Sequence, residues 1–132
     1  MTDTLQVTVQ HLDEHLAVLA VTGDVDLHTA PALRSRALAL LEGGTVHLVL
    51  DLAWVDFFDS TGLSTLIGLW HAAEGAGGSL GLAAVPDRLE RMITMTGLSL
   101  ILPVHATVAD ALAGRSADGS PGGADTGGGT SL

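Results

Sequence analysis

Cysteine and lysine are both missing from the 132 residues of this chain. Without cysteine there is no disulfide framework, no thiolate nucleophile and no Cys-based zinc site, and the chain suits a reducing compartment. Without lysine there is no P-loop, whose lysine must reach the phosphates of a nucleotide. The only basic residues are Arg34, Arg36, Arg88, Arg91 and Arg115, and the formal net charge is −10. Binding to nucleic acid requires a basic footprint to offset phosphates, and none is present. Attraction to an anionic membrane surface fails for the same reason. No apolar run approaches the roughly 18 residues that would cross a bilayer; Leu16 to Val21 stops at Gly23-Asp24. Met1-Thr2-Asp3-Thr4 has neither the basic start nor the apolar stretch of a signal peptide. The expectation is a cytoplasmic chain without membrane insertion, whose acidity keeps it soluble or suits a partner with a basic face.

Hydrophobic residues make up 47% of the chain, enough for one core that needs no structural metal. Leu5, Val7 and Val9 alternate with Gln6, Thr8 and Gln10, the pattern of a half-buried strand. After the turn at residues 11–15, Leu16 to Val21 is apolar on both parities, as in a central strand covered on both faces. These two strands read as an antiparallel hairpin. Thr29 and Pro31 open a helix with Leu33, Ala37 and Leu40 on one stripe, stopped by Gly43-Gly44. Thr45 to Asp51 reads as a third strand, and Leu52 to Asp59 as the passage out of it. Leu63, Leu66, Ile67 and Trp70 then recur at helical spacing up to Gly75.

Further strands are expected at Ser79–Val85 and Ser99–Val104. A helix lies between them with Leu89, Met92, Ile93 and Thr96 on one face, and Thr107 to Asp110 resembles a capping box for a last short helix. The order β-β-α-β-α-β-α-β-α predicts a layered α/β domain with a small mixed sheet flanked by helices. The domain is expected over residues 3–113. From Gly114 the chain is mostly Gly, Ser, Asp, Thr and Ala, so 114–132 is expected to be a disordered tail.

Sites in open α/β sheets lie beyond the carboxyl ends of strands. Two segments fall there, Gly23-Asp24-Val25-Asp26 and the run from Val55 to Leu63. A serine at a helix start, such as Ser60, ordinarily does no more than cap the exposed amides. Three neighbours point further. Asp59 is a second capping residue, which spares Ser60. Phe57 and Phe58 are the only phenylalanines, and at least one is expected as a surface anchor. Gly62, in the first helical turn, costs about 0.5–1 kcal/mol against alanine. It would keep the helix start flat for the approach of another protein's backbone or a nucleotide.

Asp59-Ser60-Thr61-Gly62-Leu63, preceded by Val55 and by Phe57-Phe58, resembles the signature of STAS domains of the anti-sigma-factor antagonist kind. Gly23-Asp24-Val25-Asp26 with Thr29-Ala30 resembles the family's second-strand motif, and Thr96-Gly97-Leu98 and Thr107 to Leu112 continue the likeness. The resemblance implies an α/β STAS fold and a binding protein, not an enzyme, with no cofactor of its own. It implies two partners, a serine/threonine kinase that is also an anti-sigma factor and a metal-dependent serine phosphatase. The kinase phosphorylates the serine after the aspartate, here Ser60, with Thr61 the lesser acceptor. The unphosphorylated form would bind the kinase and free the sigma factor; phosphorylation would switch binding off. Asp24, Asp26, Thr29, Asp56, Phe57, Phe58, Asp59, Ser60, Thr61, Gly62 and Leu63 would form the partner surface.

Other readings stand beside this one. Asp24, Asp26, Asp56 and Asp59 are a possible metal-ligand set, or the carboxylates of a receiver-like phosphoaspartate site, although such a site expects a supporting lysine. The six histidines are scattered, which does not suit hydrolase chemistry, and a turn separates His11 from His15. Gly75-Ala76-Gly77-Gly78 precedes a strand, so it is a helix stop and not a dinucleotide loop. Trp70 is expected in the core; Trp54, beside the site, is open to either burial or exposure. A STAS accessory module of a transporter-associated complex or signalling scaffold would use the same surface without phosphorylation. A small-ligand sensor would need a pocket.

Overall fold

A computed structural model describes residues 5–119. Strands β1 (Leu5–His11) and β2 (Leu16–Val25) form the expected antiparallel hairpin, in register from Leu5 opposite Gly23 to His11 opposite Ala17. Strand β3 (His47–Phe58) lies parallel to β2, and β4 (Ser79–Ala83) and β5 (Val104–His105) continue in parallel, so the sheet order is β1-β2-β3-β4-β5. Helices α1 (Ala30–Glu42), α2 (Ser60–Gly75), α3 (Asp87–Met95) and α4 (Val108–Gly119) complete the expected order. A short 3-10 turn (Leu98–Leu100) is inserted between α3 and β5.

The two parities of β2 separate the two layers of the core. Ala17, Leu19 and Val21 join Leu48, Leu50, Leu80 and Leu82 beneath α1 and α2, with Leu33, Ala37, Leu66 and Leu69 closing over them. Val18, Val49 and Ala83 face the other way, against Ala111 and the half-buried Val108 and Leu112 of α4. A strand with apolar side chains on both parities can be buried on both faces, and β2 is.

Several elements differ from expectation, among them β4, which ends at Ala83 and not at Val85. Strand β3 does not stop at Asp51; it runs on to Phe58, so Trp54, Asp56, Phe57 and Phe58 sit on a strand instead of a loop. The extension pairs with an equally extended β2, through Gly23 opposite Val55 and Val25 opposite Phe58. The fifth strand shrinks to two residues. Gly97 adopts a left-handed conformation (φ 80°), and Leu98 and Leu102, four residues apart, both turn into the core. The buried stripe of α2 is Gly62, Leu66, Leu69 and Ala73; Ile67 is exposed, and Leu63 and Trp70 are partly buried. Helix α4 runs to Gly119, past the domain boundary expected at 113. The remainder of the expected tail lies outside the described residues.

Candidate functional site

The carboxyl ends of β2 and β3 carry the two segments singled out in the sequence, and parallel pairing brings them side by side. Asp24 lies opposite Phe57 and Val25 opposite Phe58, and the amide of Asp59 donates to the carbonyl of Val25 at 3.4 Å. Gly23 makes this meeting possible. Its φ of 109° is open to glycine and strained for other residues, and the register of β2 on β3 shifts immediately after it.

Beyond β2 the chain closes on itself through Asp26. Its Oδ1 accepts from the amides of His28 and Thr29 at 2.9 and 3.0 Å. The Thr29 hydroxyl accepts from the Asp26 amide at 2.9 Å and donates to the Asp24 carbonyl at 2.7 Å. Desolvation works to raise the Asp26 pKa. The His28 and Thr29 amides, the Thr29 hydroxyl and the charge on nearby His28 together outweigh it, so the carboxyl titrates below the ordinary aspartate range. Asp26 and Thr29 thus build the turn that launches α1, and the same turn leaves Leu27 67% exposed at its tip.

At the end of β3, Asp59 is extended and caps α2. Its Oδ1 accepts from the amides of Thr61 at 2.9 Å and Gly62 at 3.1 Å. Asp59 therefore holds the amides that a serine cap would have taken. Ser60 is exposed, and among the described residues its hydroxyl has no hydrogen-bond partner. Thr61 is half-buried, and its carbonyl accepts from the Thr65 hydroxyl at 2.9 Å.

The two phenylalanines divide. Phe57 is 45% exposed, while Phe58 is buried in the main core. Phe58 also explains Gly62. A Cβ on Gly62 would stand 2.7 Å from the Phe58 ring, so the glycine makes room for a core side chain. The flat helix start expected for an approaching partner is not its role, because Gly62 is buried. Leu63 is half-buried and Asp56 exposed. Trp54 is 67% exposed.

The structure thus gathers Asp24, Asp26, Thr29, Phe57, Asp59, Ser60 and Thr61 at one end of the sheet and turns Phe58 and Gly62 inward. Among the described residues, no three His, Asp or Glu side chains converge as a metal site would require, so the four aspartates do not act as one ligand set. Sequence reasoning passed over three features. Leu27 is a lone apolar residue in a turn, with no periodic stripe to join. Arg88 lines a cleft with Asp56, Phe57 and Met92 where α3 meets the end of β3. Gly77 to Gly81 spells Gly-x-Ser-x-Gly, but Ser79 opens a strand at the opposite end of the sheet. The Ser79 hydroxyl lies 2.9 Å from His47 Nδ1, yet the Gly78 and Ser79 amides are bound to the carbonyls of Ala73 and Val46. A nucleophile elbow needs a strand-to-helix turn, and Ser79 instead opens strand β4.

Comparison with known proteins matches the STAS domain model to residues 6–111. The chain is 36% identical over 86 residues to the anti-sigma-B factor antagonist of Bacillus subtilis, covering 65% of this chain and 78% of that protein. It is 31% identical over 111 residues to the anti-sigma F factor antagonist of Paenibacillus polymyxa, covering 82% and 92% respectively. Among solved structures, an anti-sigma factor antagonist from Mycobacterium paratuberculosis superposes with a TM-score of 0.75 at 32% identity, over 83% of this chain and 92% of that one.

Proposed function

The chain belongs to the STAS domain family, and on that premise we propose that it is an anti-sigma factor antagonist switched by phosphorylation of Ser60. In this reading the unmodified chain binds an anti-sigma factor that is itself a serine/threonine kinase, and so releases a sigma factor. The kinase transfers a phosphoryl group from ATP to the Ser60 hydroxyl and thereby ends the complex. A metal-dependent phosphatase restores the binding form. The chain is a cytoplasmic binding protein and not an enzyme. Its curated relatives carry antagonist names, which supports the class of partner.

One observation carries the assignment of Ser60. Asp59 caps α2 without help, which leaves an exposed hydroxyl at the helix start free for transfer. Phe57 and Leu27 supply exposed apolar surface at the same end of the sheet, and Asp24, Asp26, Asp56 and Asp59 supply negative charge for a basic partner face. A phosphate adds about −1.5 to −2 charges to this acidic surface. The amides of Thr61 and Gly62 already serve Asp59, so the phosphate stays at the interface and opposes docking.

Titration of the cognate kinase with the unmodified chain and with Ser60→Glu tests the reading. Wild type binds and is phosphorylated in the presence of ATP and magnesium, and Ser60→Glu binds at least about tenfold more weakly, equivalent to 1.4 kcal/mol. Equal affinity of the two forms would refute the switch.

A further inference from the structure

The two edges of the sheet are unlike. Strand β5 ends the sheet with two residues, and so short an edge offers little backbone to another strand. Strand β1 ends it with seven, Leu5 to His11. It pairs with β2 without a register shift, so no bulge twists it away. It has no proline, and no Asp, Glu, Arg or Lys among its residues. Among the described residues, the protections of charge, proline and bulge are therefore missing from this edge, and the outward amides and carbonyls of β1 are a template for another strand.

The side chains of β1 specify which strand. Gln6-Val7-Thr8-Val9-Gln10 reads the same in both directions. Laid antiparallel on itself about Thr8, it sets Gln6 opposite Gln10, Val7 opposite Val9 and Thr8 opposite Thr8. Within these five residues every pair matches in type, Leu5 falls opposite His11 at the strand ends, and every side chain keeps its face of the sheet. Val7 and Val9 are only half-buried against the core, so pairing removes further apolar surface from water. The edge is also uncharged in a molecule of net charge −10, and offers two copies a contact without direct repulsion.

We propose that β1 is a self-pairing edge through which two copies of this chain associate about a two-fold axis at Thr8, joining their five-stranded sheets into one. A strand pair of this length buries less than the roughly 800 Å² per partner of a standard interface, so the association is reversible and concentration-dependent. The two copies of β2 and β3 run in opposite directions in such a dimer. Their Ser60 ends therefore point to opposite ends of the assembly, and neither is covered.

Mass measurement by sedimentation equilibrium on the full chain, at rising concentration, tests the proposal. Wild type climbs from 13.4 kDa towards twice that mass. Thr8→Lys, which sets two ammonium groups face to face on the axis, stays at the single-chain mass with an unchanged Tm. Because the chain has no cysteine, register is read by introducing one. Thr8→Cys crosslinks to a covalent dimer on mild oxidation, since directly opposed residues have Cα atoms about 4.5–5.5 Å apart. Gln6→Cys does not, because its counterpart lies roughly 13 Å further along the strand, and the Gln6→Cys, Gln10→Cys double variant does. A single-chain mass at every concentration would overturn the proposal. So would a Thr8→Lys chain that still dimerises, or equal crosslinking at Thr8→Cys and Gln6→Cys.

Discussion

Asp59 alone does the capping at the start of α2, although Ser60 beside it is a residue type that could. One carboxylate oxygen of Asp59 takes two amides, and Ser60 keeps its hydroxyl. Both residue types suit a cap, so their adjacency in the sequence made a spare hydroxyl legible; which of them caps is decided by the extended backbone of Asp59, visible only in three dimensions. Asp59→Ala leaves both amides without their partner and is expected to cost about 1 kcal/mol. Thermal unfolding should show a fall in Tm of roughly 3–5 °C. Asp26 acts in the neighbouring turn, and its effect depends on pH. Its carboxyl titrates below the ordinary value of 3.8 in the folded chain, so the ionised form stabilises the fold above that value. The contribution is lost as pH falls through the lower, folded pKa. The stability gap between wild type and Asp26→Ala, followed by denaturant unfolding, is therefore expected to be full at neutral pH and to narrow only in that acidic window. A gap that stayed constant to the acid limit would contradict this.

Helix α2 shows how one sequence pattern fits two faces. Leu63, Leu66, Ile67 and Trp70 satisfy helical spacing, and so do Gly62, Leu66, Leu69 and Ala73, which are the residues buried. The choice is made by Phe58, whose ring occupies the place of a side chain at Gly62. A pattern that counts only large apolar residues cannot see a core position filled from the preceding strand. The same limit explains β3, whose last residues looked like a passage because their pairing depends on a shifted and extended β2. It also explains the fifth strand, where the buried Leu98 opens a 3-10 turn and the buried Leu102 follows just after it. Strand β1 and helix α3 were legible because each carries one clear periodicity, and β2 because its apolar run on both parities marks a strand covered on both faces. Two glycines of α2 test this account. Gly68 is exposed, with open space where a Cβ would stand. Gly68→Ala is expected to stabilise the chain by about 0.5–1 kcal/mol. Gly62→Ala is expected to destabilise it by about 1–3 kcal/mol, and Phe58→Leu should relieve part of that loss in a double-mutant cycle. Additive effects at 58 and 62 would show that the ring is not the obstacle.

Across the whole molecule, the fold separates the core from the surface proposed for docking. The core lies between the sheet and its helices, while Ser60, Phe57 and Leu27 stand at the carboxyl ends of the parallel strands, in contact with solvent. The family and the order of its elements were readable from Asp59 to Leu63, the Gly23 to Asp26 turn and the alternating strands and helices. The exposure of Trp54 and Leu27 and the inward turn of Gly62 were not, because each depends on how two strand ends meet. A charge added at Ser60 reaches no core group, so Ser60→Glu is expected to change stability by no more than about 0.5 kcal/mol. Circular dichroism and thermal unfolding should superpose on wild type; a large loss of Tm would mean that Ser60 is structural. The most direct test of the switch is the modification itself. Intact mass and peptide mapping of the chain isolated from its native cells, across growth and stress conditions, should find one phosphate on the peptide carrying Ser60 and none in Ser60→Ala. A chain that never carries phosphate, or carries it elsewhere in Ser60→Ala as in wild type, would contradict the switch and leave a STAS module that binds without it.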